Sequence, residues 1–293
     1  MLAYLKLIRP YQWVKNSFIF IPAYFSRDLF VIENFILLLL GFVSFSLVAS
    51  AIYIVNDYKD IASDQQHPEK KNRPLASGKA KPMFAMIIMA VFVITGFGIA
   101  ATLNKYFLVI LGVYFIMNLS YSLGLKNISI LDILIVAFGF LLRALSGGVI
   151  IDIPISQWLI IMVFLLAVFL AMAKRRDDVL MYLSSGKAMR KSVRDYNLDF
   201  ANTSLSMLCG VIIVAYLMYT ISPDVVARMN SGNIYLTTIF VIAGMLRYLQ
   251  ITFVENNSGS PTKILYTDKF IIFTILGWLA SFYVIIYLPG FIK

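Results

Sequence analysis

Cysteine and histidine are almost missing from this chain: Cys209 and His67 are the only ones in 293 residues. A lone cysteine inside an apolar run excludes a disulfide framework and a cysteine-based metal site. A lone histidine excludes a zinc site of the usual histidine-rich kind, and His67, beside a proline in a loop, reads as structural rather than as an acid or base. Charged residues are scarce too, 14% against 60% hydrophobic. No soluble domain of this size needs so much apolar surface. The first 16 residues lack the order of charge, apolar core and small-residue cleavage site that marks a signal peptide; Leu2 to Ile8 is an amphipathic lead-in ending at Arg9-Pro10. The net charge of +10 is not a stripe on a soluble face. The basic residues sit between apolar runs, so nucleic acid is not an expected partner.

What the chain has instead is apolar runs near 20 residues, long enough to cross about 30 Å of hydrocarbon as helices. Nine candidate spans are read: 14–31, 34–55, 83–103, 106–123, 130–151, 156–173, 204–221, 234–254 and 270–289. The first is the weakest, because Pro22, Arg27 and Asp28 interrupt it. With the N-terminus in the cytoplasm, nineteen of the 25 Lys and Arg fall on the cytoplasmic side and four on the other. That asymmetry fits the positive-inside rule and an odd number of spans. The expectation is an all-α integral membrane protein of about nine transmembrane helices, a single domain over 1–293. It lies in the cell (inner or plasma) membrane with its C-terminus opposite the cytoplasm. Two cytoplasmic loops are long, 56–82 and 174–203, and each follows an even-numbered span.

The first of these loops carries the chemistry. In VNDYKDIASDQQHPEKKNRPLASG, Val55 to Gly78, the residues Asn56, Asp57, Asp60 and Asp64 stand at helical spacings of one, three and four. On a helix, residues three and four apart share a face, so the three carboxylates are expected to project together. Such like charges repel unless a cation joins them. Oxygen ligands without His or Cys suit Mg²⁺, with Mn²⁺ as the alternative, in a site that keeps positions for water and phosphate oxygens. A plain salt-bridged helix end is the competing reading, but carboxylates at a helix C-terminus oppose its dipole. Lys70 and Arg73 follow at once, and Arg grips phosphate bidentately. Lys79 and Lys81 read as ordinary positive-inside charge.

The pattern NDxxDxxxD at the end of the second helix, with its basic loop, resembles the UbiA superfamily of intramembrane prenyltransferases. Within it, several segments in order look like the polyprenyl-phosphate phosphoribosyltransferases, the decaprenyl-phosphate enzymes of arabinan-donor (cell wall) synthesis. They are LIRPYQWVKN (Leu7–Asn16), the Asn56–Gly78 loop, YSLGLKNISILD (Tyr121–Asp132), FLLRALSGG (Phe140–Gly148), MLRYL (Met245–Leu249) and SPTKILYTDK (Ser260–Lys269). The resemblance implies transfer of a phosphoribosyl group from phosphoribosyl pyrophosphate to a polyprenyl phosphate in the membrane, releasing pyrophosphate. The alternative is a prenyl transfer from a prenyl diphosphate to an aromatic or lipid acceptor.

The second loop separates the two chemistries. It opens Lys174-Arg175-Arg176-Asp177-Asp178, three cations ahead of two acids, where a prenyltransferase usually carries a second Asp-rich motif. Asp195 and Asp199 form a DxxxD farther on, amid Lys191 and Arg194, and read as surface salt bridging. Two phosphorylated substrates demand more cations. The candidate substrate-binding set is therefore Lys15, Lys70, Arg73, Tyr121, Lys126, Arg143, Lys174, Arg175, Asp178 and Arg247, with Asn56, Asp57, Asp60 and Asp64 as the catalytic and metal-binding set. Arg143 and Arg247 fall inside spans, where a charge is costly and by default functional; an internal salt bridge to Asp132 or another acid is the bland alternative for each. An anion transporter or channel is disfavoured, because the charges gather at one mouth and the spans are mostly unbroken.

Overall fold

The computed structural model describes residues 2–66, 70–186, 191–229, 231–257 and 261–287. His67, Ser260 and the last two residues of the 270–289 span lie outside them. Among the described residues the secondary structure is helical, with no strand. Eight of the nine expected spans appear as helices: Ile32–Lys59, Pro82–Leu103, Lys105–Leu123, Leu131–Ile150, Gln157–Ser185, Leu198–Ile221, Thr238–Phe253 with its 3₁₀ lead-in Asn233–Thr237, and Lys269–Tyr287. Seven are long and apolar enough to cross a membrane, and Lys269–Ile285 is a shorter apolar helix. The stretch expected as the first span folds differently, as a 3₁₀ helix Pro10–Phe20 and a short helix Ile21–Ser26. Left-handed Arg9 and Arg27, with φ of 55° and 73°, bound this segment, and Pro22 interrupts it.

The side chains facing away from the cores are themselves apolar. Ile94, Ile116 and Phe273 are each about two-thirds exposed or more, at 73%, 65% and 65%. Surface of that kind on long helices belongs against lipid, and the chain is a multi-pass membrane protein.

The chain divides into two compact units, Met1–Lys126 with Phe138–Ser156, and Asn127–Ala137 with Gln157–Lys293. In the first, Ile32–Lys59 is the central helix, packed against Pro82–Leu103, Lys105–Leu123 and the 3₁₀ segment. Its core holds Ile19, Leu38, Phe45, Val48, Phe107 and Leu111. Lipid tails are as apolar as leucine, so contact between helices here relies on close packing and hydrogen bonds. Ser44 Oγ donates to the Gly96 carbonyl at 2.7 Å. The 3₁₀ segment docks on Gly147, where an added Cβ would stand 1.9 Å from the Ile19 carbonyl oxygen.

In the second unit, Gln157–Ser185 packs along Leu198–Ile221, and Thr238–Phe253 packs against Lys269–Tyr287. The core includes Phe169, Ala173, Val193, Leu205, Tyr248 and Ile271. Asp268 starts the last helix by accepting from the Ile271 N–H at 2.9 Å, which satisfies one of the orphan donors of a helix N-terminus.

Candidate active site

The central helix of the first unit ends at Lys59, and Asp60 begins the short helix Ile61–Gln65 with φ −88° and ψ 5°. That break changes the carboxylate geometry. Asp57, 2% exposed, is held by Arg9, whose Nη2 lies 2.6 and 2.8 Å from its two oxygens. Arg73 Nη1 reaches Asp57 Oδ1 at 3.0 Å and Asp64 Oδ2 at 2.8 Å. Asp60 turns elsewhere, to Lys126 Nζ at 2.9 and 3.1 Å, and Lys126 also donates to Asn56 Oδ1 at 3.3 Å. The expected face of three joined carboxylates is therefore not formed: among the described residues no three His, Cys, Asp or Glu converge on one point. The i, i+3, i+4 arithmetic needs one continuous helix, and this one stops between Asp57 and Asp64.

Arg73 is positioned by a compact turn. Its N–H donates to the Lys70 carbonyl at 2.9 Å, and its carbonyl accepts from Ser77 N–H at 2.9 Å. Gly78 takes the left-handed φ of 73° that lets the chain reverse. Leu75 and Ala80 then bury against Leu7 and Ile54, which anchors the loop to the N-terminal lead-in and the central helix. The donor set fits Mg²⁺, which takes one or two carboxylates and completes its shell with water and phosphate oxygens. Asp57 and Asp64 already converge on one cationic nitrogen; Asp60 belongs to the separate pair with Lys126.

Elsewhere in the first unit, Arg143 on the helix Leu131–Ile150 is 5% exposed. Its Nε donates to Asn16 Oδ1 at 2.7 Å, Nη1 to the Gly139 carbonyl at 2.8 Å and Nη2 to the Tyr114 hydroxyl at 2.8 Å. Asn16 is oriented by donating from Nδ2 to Ser46 Oγ at 2.8 Å. No ion pair is found for Arg143 among the described residues, and Asp132 belongs instead to the second unit's network. The internal salt bridge weighed for both intramembrane arginines describes Arg247 alone. Arg247 pairs with Asp268 at 2.7 Å and Glu255 at 2.8 Å, and donates to Gln250 Oε1 at 2.7 Å. It sits near the end of its helix, within reach of acids outside the span. The Arg247 hydrogen bond holds the Asp268 carboxyl below the usual carboxylate range.

In the second unit, Asp132 is fully buried and Arg175 Nε stands 2.9 Å from its Oδ2. Arg175 also pairs with Asp178. Asp132 accepts from the Tyr196 hydroxyl at 2.8 Å and from Ser192 Oγ at 3.2 Å. Burial, and then the Asp132 carboxylate, push the Tyr196 hydroxyl well above its ordinary pKa, so it remains a donor. Lys174 is exposed and Tyr121 half-buried. Asp195 and Asp199 are exposed, but no ion pair is found for either among the described residues. Asp199 lies in the first turn of its helix, where the dipole favours a carboxylate.

Several residues at the site escaped the sequence. In the sequence Arg9 reads as the end of the lead-in and one of the cytoplasmic cations, within the LIRPYQWVKN segment, with no mark of its contact with Asp57. Asn16 ends the segment LIRPYQWVKN but carries no role there, and Ser46, Ser50, Tyr53 and Tyr114 carry no motif of their own. The one available signal was the spacing of Ser46, Ser50, Tyr53 and Asp57, which places four polar side chains on one helical face in an otherwise apolar span.

Fold and site together define a polytopic helical membrane protein with a buried carboxylate–cation cluster at the end of one span. Residues 18–275 match the UbiA prenyltransferase family, and the chain belongs to that family. It is 29% identical to the decaprenyl-phosphate phosphoribosyltransferase of Mycolicibacterium smegmatis, over 97% of this chain and 92% of that protein. Identity to the enzyme of the same name from Corynebacterium glutamicum is also 29%, over 97% of this chain and 86% of the relative. Among solved structures, a UbiA homolog from Archaeoglobus fulgidus bound to DMAPP and Mg²⁺ superposes with a TM-score of 0.72 at 19% identity, covering 97% of this chain and 99% of that one.

Proposed function

We propose that this protein transfers the 5-phosphoribosyl group of phosphoribosyl pyrophosphate to a polyprenyl phosphate and releases pyrophosphate, with Mg²⁺. The observation that carries this reading is how the cations of the first unit divide between the carboxylate cluster and the Asn16–Arg143 contact. Arg9, Arg73 and Lys126 match Asp57, Asp60 and Asp64, while Lys15 and Arg143 have no carboxylate partner among the described residues. A prenyl diphosphate with a neutral acceptor brings no second phosphate for Lys15 and Arg143; two phosphorylated substrates do. The near-full-length likeness to two decaprenyl-phosphate phosphoribosyltransferases supports the same chemistry.

Asp57 and Asp64 would hold the metal, which when bound supplies a positive charge to the pyrophosphate oxygens. Arg73, released from the carboxylates it bridges, grips the same pyrophosphate together with Arg9, Lys70 and Lys126. In the reaction the ribose C1–O bond to pyrophosphate breaks and a C1–O bond to the lipid phosphate forms. The bonding pair leaves with pyrophosphate, and C1 passes through an oxocarbenium-like state. The attacking phosphate is already an anion at neutral pH, so no strong general base is required. The chain's role is positioning and electrostatic stabilisation. In the second unit, Lys174, Arg175 and Asp178 are the candidates for substrate contact. We place the catalytic mouth on the cytoplasmic side of the plasma membrane, on the strength of the charge asymmetry among the loops, and read residues 1–293 as one catalytic domain.

The test uses purified protein in detergent with Mg²⁺, phosphoribosyl pyrophosphate labelled in the ribose, and polyprenyl phosphates of short and long chain. Label is expected in the organic phase, dependent on Mg²⁺. Absence of lipid labelling, with pyrophosphate released from a prenyl diphosphate instead, would make prenyl transfer the activity.

A further inference from the structure

Lys15 and Arg143, two cations of the first unit, have no ion pair with the carboxylate cluster among the described residues. Arg143 is buried, and its three hydrogen bonds all go to neutral acceptors. A guanidinium has five N–H donors, so one N–H on each Nη remains. Its carbon lies 5.1, 4.8 and 5.4 Å from the ring centres of Phe45, Tyr114 and Phe140, so apolar surface stands where water or an acid would otherwise be. Lys15 is half-buried and makes no hydrogen bond or ion pair among the described residues. Its chain neighbour Asn16 accepts from Arg143 Nε at 2.7 Å, which brings Lys15 to the Arg143 end of the segment, and the charges of Arg143 and Arg9 both bear on it. Two like charges in a poorly hydrated interior, with no carboxylate between them, are unfavourable until an anion joins them.

The connection to the carboxylate cluster is polar throughout. Ser46, Ser50, Tyr53 and Asp57 share a face of the central helix. Trp13 Nε1 donates to Ser50 Oγ at 3.0 Å, and Ser50 Oγ donates to the Ile8 carbonyl at 2.9 Å. Arg9 lies over the Tyr53 ring at 5.0 Å. Along the helix axis, Ser46 and Asp57 are separated by roughly 16 Å at 1.5 Å per residue. The Asn16–Arg143 end is thus a location of its own, and Lys15 stands in range of both ends.

We propose that Lys15 and Arg143 form a phosphate-monoester subsite, distinct from the pyrophosphate-binding cluster of Asp57, Asp64, Arg9 and Arg73. This deepens the phosphoribosyl reading and rests on it. A phosphate monoester carries close to two negative charges at neutral pH, which the two cations match. The proposed reaction brings two such groups, the 5-phosphate of the ribose donor and the phosphate of the lipid acceptor. Both need a cationic seat away from the leaving group, because three anions on one cluster would repel.

The experiment reads thermal unfolding of the full chain in detergent, wild type against Lys15→Gln and Arg143→Gln, titrated with farnesyl phosphate, ribose 5-phosphate or Mg²⁺-pyrophosphate. Lys15 touches no partner that the fold depends on, so Lys15→Gln is expected to fold; Arg143→Gln is the second variant. At least one of the two monoesters is expected to stabilise wild type, and Lys15→Gln to weaken its apparent affinity about tenfold, while the Mg²⁺-pyrophosphate shift is unchanged. Loss confined to farnesyl phosphate assigns the subsite to the lipid acceptor, and loss confined to ribose 5-phosphate assigns it to the donor. Equal stabilisation of wild type and variant, no stabilisation of wild type by either monoester, or parallel loss of the pyrophosphate shift overturns the subsite. None of these readings uses turnover. Failure of phosphoribosyl transfer in the wild type would remove the proposed reaction while leaving the anion result to be judged by itself.

Discussion

One nitrogen of Arg73 stands 2.8 Å from Asp64 Oδ2 and 3.0 Å from Asp57 Oδ1, joining two carboxylates that lie on different helices. The 3₁₀ turn Lys70–Asn72 and left-handed Gly78 hold that guanidinium in place. Exchange of the guanidinium for a metal ion would leave the same two carboxylates around a cation and free Arg73 for a phosphate. Asp60, engaged by Lys126, stays outside that exchange.

Metal dependence should therefore divide the three carboxylates. Asp57→Asn and Asp64→Asn are expected to raise the Mg²⁺ concentration for half-maximal turnover roughly tenfold or more. Asp60→Asn is expected to abolish most turnover with little change in that concentration. Mg²⁺ titrations of lipid labelling by the three purified variants check this; an equal rise in all three would restore a three-carboxylate site.

The Arg175–Asp132 pair is buried on both sides, at 4% and 0% side-chain exposure. Arg175→Met leaves Asp132 with the Tyr196 and Ser192 donors but no cation. A loss of about 3 kcal/mol is expected, the lower end for breaking a buried pair. Adding Asp132→Asn should recover part of it. Thermal or denaturant unfolding in detergent gives the coupling through the double-mutant cycle. Strict additivity of the two substitutions would mean that the pair does not interact.

Gly147 bears directly on the N-terminal segment, because an added Cβ would meet the Ile19 carbonyl at 1.9 Å. Gly147→Ala is expected to displace Pro10–Phe20 and with it Asn16, costing about 1–3 kcal/mol as an overpacking change. Limited proteolysis near Arg9 and Lys15 should accelerate in the variant. Unchanged melting and unchanged cleavage would show that the segment does not depend on this contact.

Acid should selectively weaken the Arg247–Asp268 contact. The Asp268 carboxyl titrates below its ordinary value of about 4, held down by the Arg247 hydrogen bond. A depressed folded pKa gives stability that is present above the unfolded pKa and is lost as pH falls through the folded one. The melting-temperature difference between wild type and Asp268→Asn is thus expected to be small but constant above about pH 5 and to shrink toward pH 3. Solvent exposure keeps the effect modest. A difference that grew on acidification would reverse the sign assigned here.

The helices, their membrane setting and the acidic–basic loop were legible in the sequence, because an apolar run near 20 residues has few other outcomes in water or lipid. Local spacing also put Asp57, Asp60 and Asp64 in one neighbourhood. What it missed was the end of the helix at Lys59, which divides those acids between Arg73 and Lys126. The first expected span takes its form for a similar reason: left-handed Arg9 and Arg27, with Pro22 between them, make it a 3₁₀ helix and a short α-helix that carry Asn16 and Lys15. Partner choice was the part that only tertiary structure decided. Arg143 and Arg247 look alike as intramembrane arginines, yet one sits among Asn16, Tyr114 and a backbone carbonyl while the other meets Asp268 and Glu255. Hydropathy and spacing fix which residues enter the membrane and which face of a helix they occupy. Which charge neutralises which depends on contacts between residues as far apart in the chain as Asn16 and Arg143, and only the packing of the helices sets those.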